Sequence, residues 1–393
     1  MKVLIYSNPN LLDCDLPLVR ALQAKGVDVT YLIETSARGT NSTLLTIKKG
    51  HAYNGIESAS VYPEMTFFSD YLNLDKVYFR NYYRKLRIPL IDALSLSIKV
   101  FKFLKDNQFD VIQRTQVFFF TDIILYYFRK KIVKMVHDPF PHSGSVLRGW
   151  TKFFYDFGMK IIPHFVVLNQ TQYDKFCEFY KKNRQNVLLN QLGVYDCYNI
   201  FHKNEEVIKE GKNSVLFFGR ISKYKGIEYL CEAMRIVRES VPDATITIVG
   251  GGNYYFDIEE YKALGYYNII NKYVSAQELS VYLAECTMVV CPYTDATQSG
   301  VVMTAYSHNK PVVASDVGGL SEQIDDRKSG LLVPPRDAQK IAEGIMEILQ
   351  NAPLREGMKE YIKKEYYTGS RSWNTIADKY IEFYEQILDL RNE

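Results

Sequence analysis

Two basic residues and two glycines follow a short apolar stretch in the middle of the chain. They are Gly219, Arg220, Lys225 and Gly226, and the apolar stretch covers 214–218. A guanidinium is a planar donor that matches phosphate oxygens, and an ammonium adds a compact positive charge. Glycine lets a ligand approach the backbone, and the start of a helix favours an anion. The spacing therefore predicts a diphosphate-binding loop. The alternative is an ordinary turn with two basic residues on its surface.

The elements that must position this loop are a strand before it, a helix after it and a second strand. The second strand ends in three glycines, of which Gly251 is predicted to lie at the ligand. Open parallel α/β sheets bind ligands at the carboxyl ends of their strands, where this loop would lie. A later strand, 287–291, leads to Gln298, Ser299 and Gly300 at a helix start. Backbone N–H groups and a hydroxyl there can bind the second half of a diphosphate.

The stretch 217–226, FFGRISKYKG, resembles the donor-diphosphate motif of the family-4 glycosyltransferases, which have the GT-B fold. The resemblance continues through 287–335 in the order strand, phosphate loop, helix, strand and turn. It implies an α/β protein with two Rossmann-like, doubly wound parallel-sheet domains that face a cleft. The acceptor-binding domain would cover 1–203 and the donor-binding domain 204–372. A helix over 373–393 would cross back to the first domain.

The resemblance also implies a reaction of the hexosyltransferase type. A sugar would move from a UDP- or GDP-linked donor to a hydroxyl acceptor, with retention of configuration and without a cofactor or metal. The acceptor would be a glycan or a lipid-linked precursor in polysaccharide biosynthesis. Arg220 and Lys225 are predicted to be catalytic as well as donor-binding, because they can stabilise the departing diphosphate with the helix start near Ser299. Gly219 would contact the donor, and Tyr273, on a turn, would contact the nucleobase or be a plain turn aromatic.

The sequence departs from the family at two positions. Family-4 enzymes usually carry two glutamates eight residues apart, one beside the donor sugar and one on the ribose hydroxyls. Ala296 and Thr304 stand at these positions. Thr304 is still expected to hydrogen-bond a ribose hydroxyl, and Asp295 and Gln298 lie close enough in sequence to substitute for a lost carboxylate. A non-catalytic nucleotide-sugar-binding relative therefore stays open as an alternative function. A nucleotide-sugar epimerase is a weaker alternative, because it would need acid and base carboxylates.

His137 is the candidate functional residue of the first half. It directly follows an apolar strand over 132–136, and an imidazole there can hydrogen-bond a sugar or phosphate oxygen, transfer a proton, or be purely structural. The resemblance implies a His close to the donor sugar, so His137 is predicted to be catalytic and to contact the acceptor. Asp138, beside it, and Asn10, in the loop after the first strand, are also predicted acceptor contacts.

Basic charge is concentrated in part of the first half. The net charge of the chain is only +3 and gives no argument for nucleic acid, but 76–160 holds 16 Lys and Arg against 6 Asp and no Glu. Basic and aromatic residues alternate over 76–105 and 148–160. This pattern is typical of helices on an anionic membrane surface; the alternative is that the aromatic rings face the domain core. We therefore expect a peripheral contact with an anionic membrane through 76–160.

The six cysteines indicate a reducing compartment. They form no C-x-x-C pair and no metal-ligand spacing with histidine, which is unlike a disulfide framework. No metal site is expected. The chain runs from Met1 directly into an apolar strand, without the features of a signal peptide. The expected location is cytoplasmic, at the inner face of the plasma membrane.

Overall fold

The computed structural model describes residues 1–36, 40–47, 55–82, 90–115, 120–140, 149–202 and 209–392. The chain divides into two compact units, Met1–Gln191 with Asn374–Glu393, and Leu192–Trp373. The division falls earlier than the predicted boundary at 203. The reason is that residues just after 191 pack on the second unit, where the Tyr195 N–H donates to the Met303 carbonyl at 3.3 Å.

The first unit is built on an eight-stranded sheet. Its strand order is β10-β9-β8-β7-β1-β2-β6-β5, and all neighbours are parallel except β5 and β6. The strands are β1 Lys2–Ser7, β2 Asp28–Ser36, β5 Gly55–Ser58, β6 Val77–Tyr82, β7 Val111–Arg114, β8 Ile132–Val136, β9 His164–Val167 and β10 Val187–Leu189, and a separate antiparallel pair consists of β3 Thr40–Asn41 and β4 Thr46–Ile47. The helices of this unit's first segment are α1 Leu12–Ala24, α2 Leu90–Asn107, α3 Gly149–Ile161 and α4 Gln170–Phe179.

The strands at the centre of this sheet are buried along their whole length. β7, β8 and β9 are buried at every residue, as expected for parallel strands covered on both faces. The apolar run over 117–128 predicts a helix between β7 and β8. The structure has a long 3-10 segment there, Phe120–Lys131, and the part of the prediction before 120 lies outside the described residues. Adjacent isoleucines and three successive aromatic residues are poor α-helix formers, so the α-helical prediction was wrong for this segment.

The second unit is built on a six-stranded, fully parallel sheet of order β13-β12-β11-β14-β15-β16. Its strands are β11 Ser214–Phe218, β12 Thr245–Val249, β13 Tyr267–Ile270, β14 Met288–Cys291, β15 Val312–Ser315 and β16 Gly330–Val333. Its helices are α5 Ile227–Ser240, α6 Glu259–Lys262, α7 Ala276–Glu285, α8 Gly300–Ser307, α9 Ala338–Gln350 and α10 Ala352–Tyr367. The chain goes outward from β11 to β13 and returns to β14 on the other side of β11. The strand order therefore reverses between β11 and β14, where open α/β sheets bind their ligands.

The last helix, α11 Trp373–Asn392, is almost entirely part of the first unit. Asp378 pairs with Lys25 at 2.6 Å, and the Arg391 guanidinium donates to the Asp110 carbonyl at 2.8 Å. Tyr384, fully buried, hydrogen-bonds the Gln113 side chain on β7. Among the described residues no helix is both long enough and apolar enough to cross a membrane.

Candidate donor-binding site

Glycines bring the loops after β11, β12 and β14 into direct contact at the carboxyl edge of the second sheet. Gly226 has φ +60°, and a Cβ added to it would lie 2.0 Å from the Pro292 carbonyl oxygen in the loop after β14. A Cβ added to Gly250, after β12, would lie 1.9 Å from the Gly219 carbonyl oxygen. No side chain fits at either position, so glycine permits this approach. The predicted loop thus lies at the reversal of strand order.

A fourth loop joins the same edge. Gly318, after β15, has φ +49°, and a Cβ there would lie 2.0 Å from the Ala296 carbonyl oxygen. Ala296 itself is buried. The position at which the resemblance predicts a glutamate therefore holds a small apolar side chain packed inside the loop.

Lys225 is a buried lysine at this edge, and its pKa is strongly shifted. Its side chain is buried, and its Nζ lies 3.7 Å from the centroid of the Tyr293 ring and 5.2 Å from that of Tyr224. Burial lowers the pKa of Lys225 to about 7, the positive charge of Arg220 adds to the shift, and Cys291 opposes it. No carboxylate in the described parts of the chain pairs with this ammonium. An anion beside it would restore the charge balance and raise its pKa.

Arg220 is held at the edge by the backbone on either side of it. The Gly219 N–H donates to the Val249 carbonyl at 2.9 Å, and the Ile221 N–H donates to the Gly251 carbonyl at 3.1 Å. These bonds extend the pairing of β11 with β12 beyond the strand ends. The Arg220 side chain is exposed, and no described carboxylate lies in an ion pair with it. It is therefore able to bind an anion at the loop without breaking an existing pair.

The first amide of α5 is already paired. The Ile227 N–H donates to the Tyr255 hydroxyl at 3.2 Å, and that hydroxyl donates to the Glu228 carboxylate. The prediction that this helix start presents its amides to an anion is therefore wrong at Ile227. The sequence carries no signal for this contact, because Tyr255 lies in a loop after the next strand.

The start of α8 is rigidly fixed. The Ser299 hydroxyl accepts from the Val301 N–H at 3.2 Å and caps the helix. The Ser299 N–H donates to the side-chain oxygen of Gln323 at 2.6 Å, and the Gln323 amide donates back to the Ser299 carbonyl at 3.2 Å. Gly300 begins the helix, and Gln298, partly exposed, precedes the cap. The sequence did not point to Gln323, whose role depends on a contact across the sheet edge.

Thr304 and Tyr273, the other two predicted donor contacts, differ in burial. The Thr304 side chain is buried, and its hydroxyl donates to the Gly300 carbonyl at 2.9 Å. In this arrangement it can only accept a further hydrogen bond. Tyr273 is exposed on the turn after β13, and its backbone nitrogen would lie 3.5 Å from a Cβ on Gly251. The turn with Tyr273 therefore borders the glycine loop, and both residues stay predicted donor contacts.

The predicted acceptor residues lie in the first unit. His137 directly follows β8 and is partly buried; burial lowers its pKa and Asp138 opposes the shift, so the imidazole is neutral near pH 7. Asp138 is exposed beside it. Asn10 is exposed in the loop after β1, where its N–H donates to the Asn8 side chain at 2.8 Å. Their roles stay predictions.

A metal cluster does not occur in the described residues: no group of three or more His, Cys, Asp or Glu side chains lies in an arrangement that could hold an ion.

A segment of the second unit is similar to known proteins. Residues 199–365 match the family described as glycosyl transferases group 1. The matched segment contains β11 to β16 and every loop of the edge described above. An uncharacterized glycosyltransferase of Methanocaldococcus jannaschii is 28% identical over 186 residues, which cover 47% of each chain. A D-inositol 3-phosphate glycosyltransferase of an Arthrobacter species is 33% identical over 157 residues, 38% of this chain and 37% of that one. The present chain thus matches less than half the length of these two relatives.

Solved structures share the architecture over nearly the whole chain. A glycosyltransferase of Rickettsia africae has a TM-score of 0.66 at 15% identity, with 98% of both chains covered. HepE of Anabaena, in complex with UDP, has a TM-score of 0.63 at 14% identity, with 98% of this chain and all of that chain covered. These similarities confirm the predicted GT-B fold class. The segment that matches the glycosyl transferases group 1 family lies within the second unit.

Proposed function

We propose that this protein is a glycosyltransferase that uses a nucleoside-diphosphate sugar as donor. The observation that carries the proposal is Lys225, a buried ammonium without a described carboxylate partner, at the strand reversal of the matched segment. A buried cation is expensive unless an anion accompanies it. A diphosphate supplies that anion, and the exposed guanidinium of Arg220 is the second group able to bind it.

The names of similar proteins support the same class of donor. HepE of Anabaena has structures in complex with UDP and with UDP-glucose, and curated relatives include an alpha-D-kanosaminyltransferase. A UDP-linked sugar is therefore the donor to test first, with a GDP-linked sugar as the second choice.

In the proposed reaction a hexosyl group moves to a hydroxyl of a glycan or lipid-linked precursor, with retention of configuration and without a metal. Lys225 and Arg220 would stabilise the negative charge that develops on the leaving diphosphate. At the start of α8 the Ser299 N–H already donates to Gln323, so the Gly300 N–H is the amide proposed to assist them. His137, neutral near pH 7, is proposed to hydrogen-bond the donor sugar, and Asn10 and Asp138 the acceptor. We place the reaction at the cytoplasmic face of an anionic membrane.

A non-catalytic nucleotide-sugar-binding protein is the second candidate function. It is favoured by the two replaced glutamates, since Ala296 is buried and the Thr304 hydroxyl already donates to its own helix. Such a protein would keep the diphosphate site and lack the carboxylate beside the donor sugar.

Calorimetric titration of UDP and GDP into the wild-type protein, Arg220→Ala and Lys225→Met tests the donor site. Each substitution is expected to weaken binding by about 1.5–3 kcal/mol, because a charge-assisted hydrogen bond to phosphate is lost. Lys223→Ala is the matched control, since Lys223 is an exposed lysine of the same loop. Unchanged affinity in both site variants would refute the assignment.

Turnover separates the two candidate functions. The wild-type protein is incubated with a panel of nucleotide-sugars and hydroxyl acceptors, and release of nucleoside diphosphate is measured. Transfer supports the glycosyltransferase. Tight binding of a nucleotide-sugar without release of product for any acceptor supports the non-catalytic protein.

A further inference from the structure

Helix α2 has two apolar faces. Its inner face packs into the core of the first unit through three buried residues, Leu96, Val100 and Leu104. On its outer face Leu94 is 59% exposed and Ile98 is 52% exposed. These two side chains are four residues apart and so lie on the same side of the helix. The outer face therefore leaves two large apolar side chains in contact with solvent.

The outer apolar face continues onto the 3-10 segment Phe120–Lys131. Tyr127 in this segment is 72% exposed, and its ring centroid lies 5.4 Å from that of Phe101 on α2. Its neighbour Tyr126 lies 5.4 Å from Phe157 on α3. The apolar surface therefore crosses from one element to the next through ring contacts.

On α3 the surface ends at Phe153, which is 55% exposed and stacks on Phe157 at 6.2 Å. We name the whole feature the outer aromatic surface, defined by the exposed side chains of Leu94, Ile98, Tyr127 and Phe153 and by the partly buried Phe101, which contacts Tyr127. Several large apolar side chains exposed on adjoining elements are unusual for a free surface and indicate an interaction site.

Basic side chains accompany the outer aromatic surface. Lys102 and Lys105 on α2, and Arg129 and Lys130 at the end of the 3-10 segment, are all exposed. None of the four pairs with a carboxylate in the described part of the chain. This combination matches an anionic bilayer. Its acyl boundary accepts exposed apolar side chains, and its headgroups attract unpaired cations.

We infer that the outer aromatic surface inserts into the headgroup region of an anionic membrane, with Leu94, Ile98 and Tyr127 as the main inserting side chains. A second copy of this chain is the less suitable occupant. A symmetric dimer would bring the same four cations against each other, and like charges at an interface are repelled. The inference depends on the charge and exposure of this surface and not on the reaction proposed above.

Sedimentation with lipid vesicles tests the inference in the full chain. Vesicles of phosphatidylcholine alone are compared with vesicles that also contain phosphatidylglycerol. The wild-type protein is expected to bind the anionic vesicles, and added salt should weaken this binding because surface charges are screened. The combined variant Leu94→Ser, Ile98→Ser and Tyr127→Ser should reduce the partition coefficient by about tenfold or more, since most of the inserted apolar area is removed. Lys102→Gln with Lys130→Gln should reduce binding to anionic vesicles only.

The matched control is Phe67→Ser, because Phe67 is 52% exposed in the same unit but lies in a different element, Pro63–Phe68. Equal binding by the triple variant and the wild type would overturn the inference, as would equal losses in the triple variant and the control. A wild-type dimer that the triple variant converts to monomers would also overturn it in favour of a second copy. UDP affinity is measured on the same samples. An unchanged circular dichroism spectrum of the triple variant shows that its first unit is folded, and an absence of UDP binding by the wild type refutes the donor site alone.

Discussion

The buried position of Lys225 predicts that nucleotide binding depends on pH. Its pKa is lowered from 10.5 to about 7, first by burial. The protonated fraction of the free protein therefore falls as the pH rises through 7. A diphosphate binds the protonated form more tightly and raises the pKa of Lys225 in the complex. Binding thus takes up a proton above pH 7, and affinity must decrease as the pH increases.

The size of the effect follows from the pKa. At pH 7 about half of the Lys225 side chains carry the charge, and at pH 8.5 only about 3% do. If the complex stays protonated over this range, the dissociation constant should rise by about fifteenfold, which is about 1.6 kcal/mol. The terminal phosphate of a nucleoside diphosphate contributes little to the change in this window, because its last proton dissociates near pH 6.

Calorimetric titration of UDP at pH 7, 7.5, 8 and 8.5, in buffers of different ionisation enthalpy, measures both the affinity and the proton uptake. Lys225→Arg is the decisive control, since a guanidinium remains charged throughout. Its affinity should not change with pH, and Lys225→Met should bind weakly and equally at each pH. A flat profile for the wild type, or the same slope in Lys225→Arg, would refute the reasoning.

Four substitutions test the packing of the second unit by chemical denaturation. Gly226→Ala should lower the free energy of unfolding by about 2 kcal/mol or more, since a Cβ there meets a backbone carbonyl at 2.0 Å and φ is positive. Gly357→Ala, inside α10 with open space around it, should instead raise that free energy by about 0.5–1 kcal/mol, and a loss would contradict the comparison. Lys310→Met should lower it by about 1–3 kcal/mol, because the buried ammonium bonds Glu210 at 2.7 Å; a change under about 0.5 kcal/mol would show that this pair is not stabilising. Trp373→Phe should cost about 1–2 kcal/mol through loss of an indole hydrogen bond of 2.6 Å, and an unchanged denaturation midpoint would contradict that estimate.

The parallel sheet of the second unit could be predicted because its signals are local. Strand β11 is an apolar run that ends before Gly219, and the basic residues follow directly in sequence. The position of Arg220 and Lys225 at the strand ends follows from this order alone. The GT-B class then depended on a resemblance that covered about half of the chain.

The details that the sequence did not indicate depend on contacts between distant residues. The pairing of Ile227 with Tyr255 and of Ser299 with Gln323 requires the folded sheet edge. The burial of Lys225 against the Tyr293 ring is of the same kind. Charge and spacing identify which groups can bind an anion, but the fold decides which of them are already occupied.

The aromatic residues of the first half show a similar limit. The sequence left open whether they face the core or a membrane. Phe109 and Phe128 are buried in the core, whereas Tyr127 and Phe153 are exposed. Adjacent positions such as 127 and 128 have opposite environments, so composition alone could not separate the two groups.

The first unit is interrupted in sequence, and this fixes the order in which the protein can be completed. Its eight-stranded sheet is synthesised before residue 192, but α11, which pairs with Lys25 and Asp110, leaves the ribosome only after the whole second unit. Domains generally fold as units while the chain grows. The first unit therefore keeps the surface that binds α11 uncovered until the second unit has been synthesised and has had time to fold.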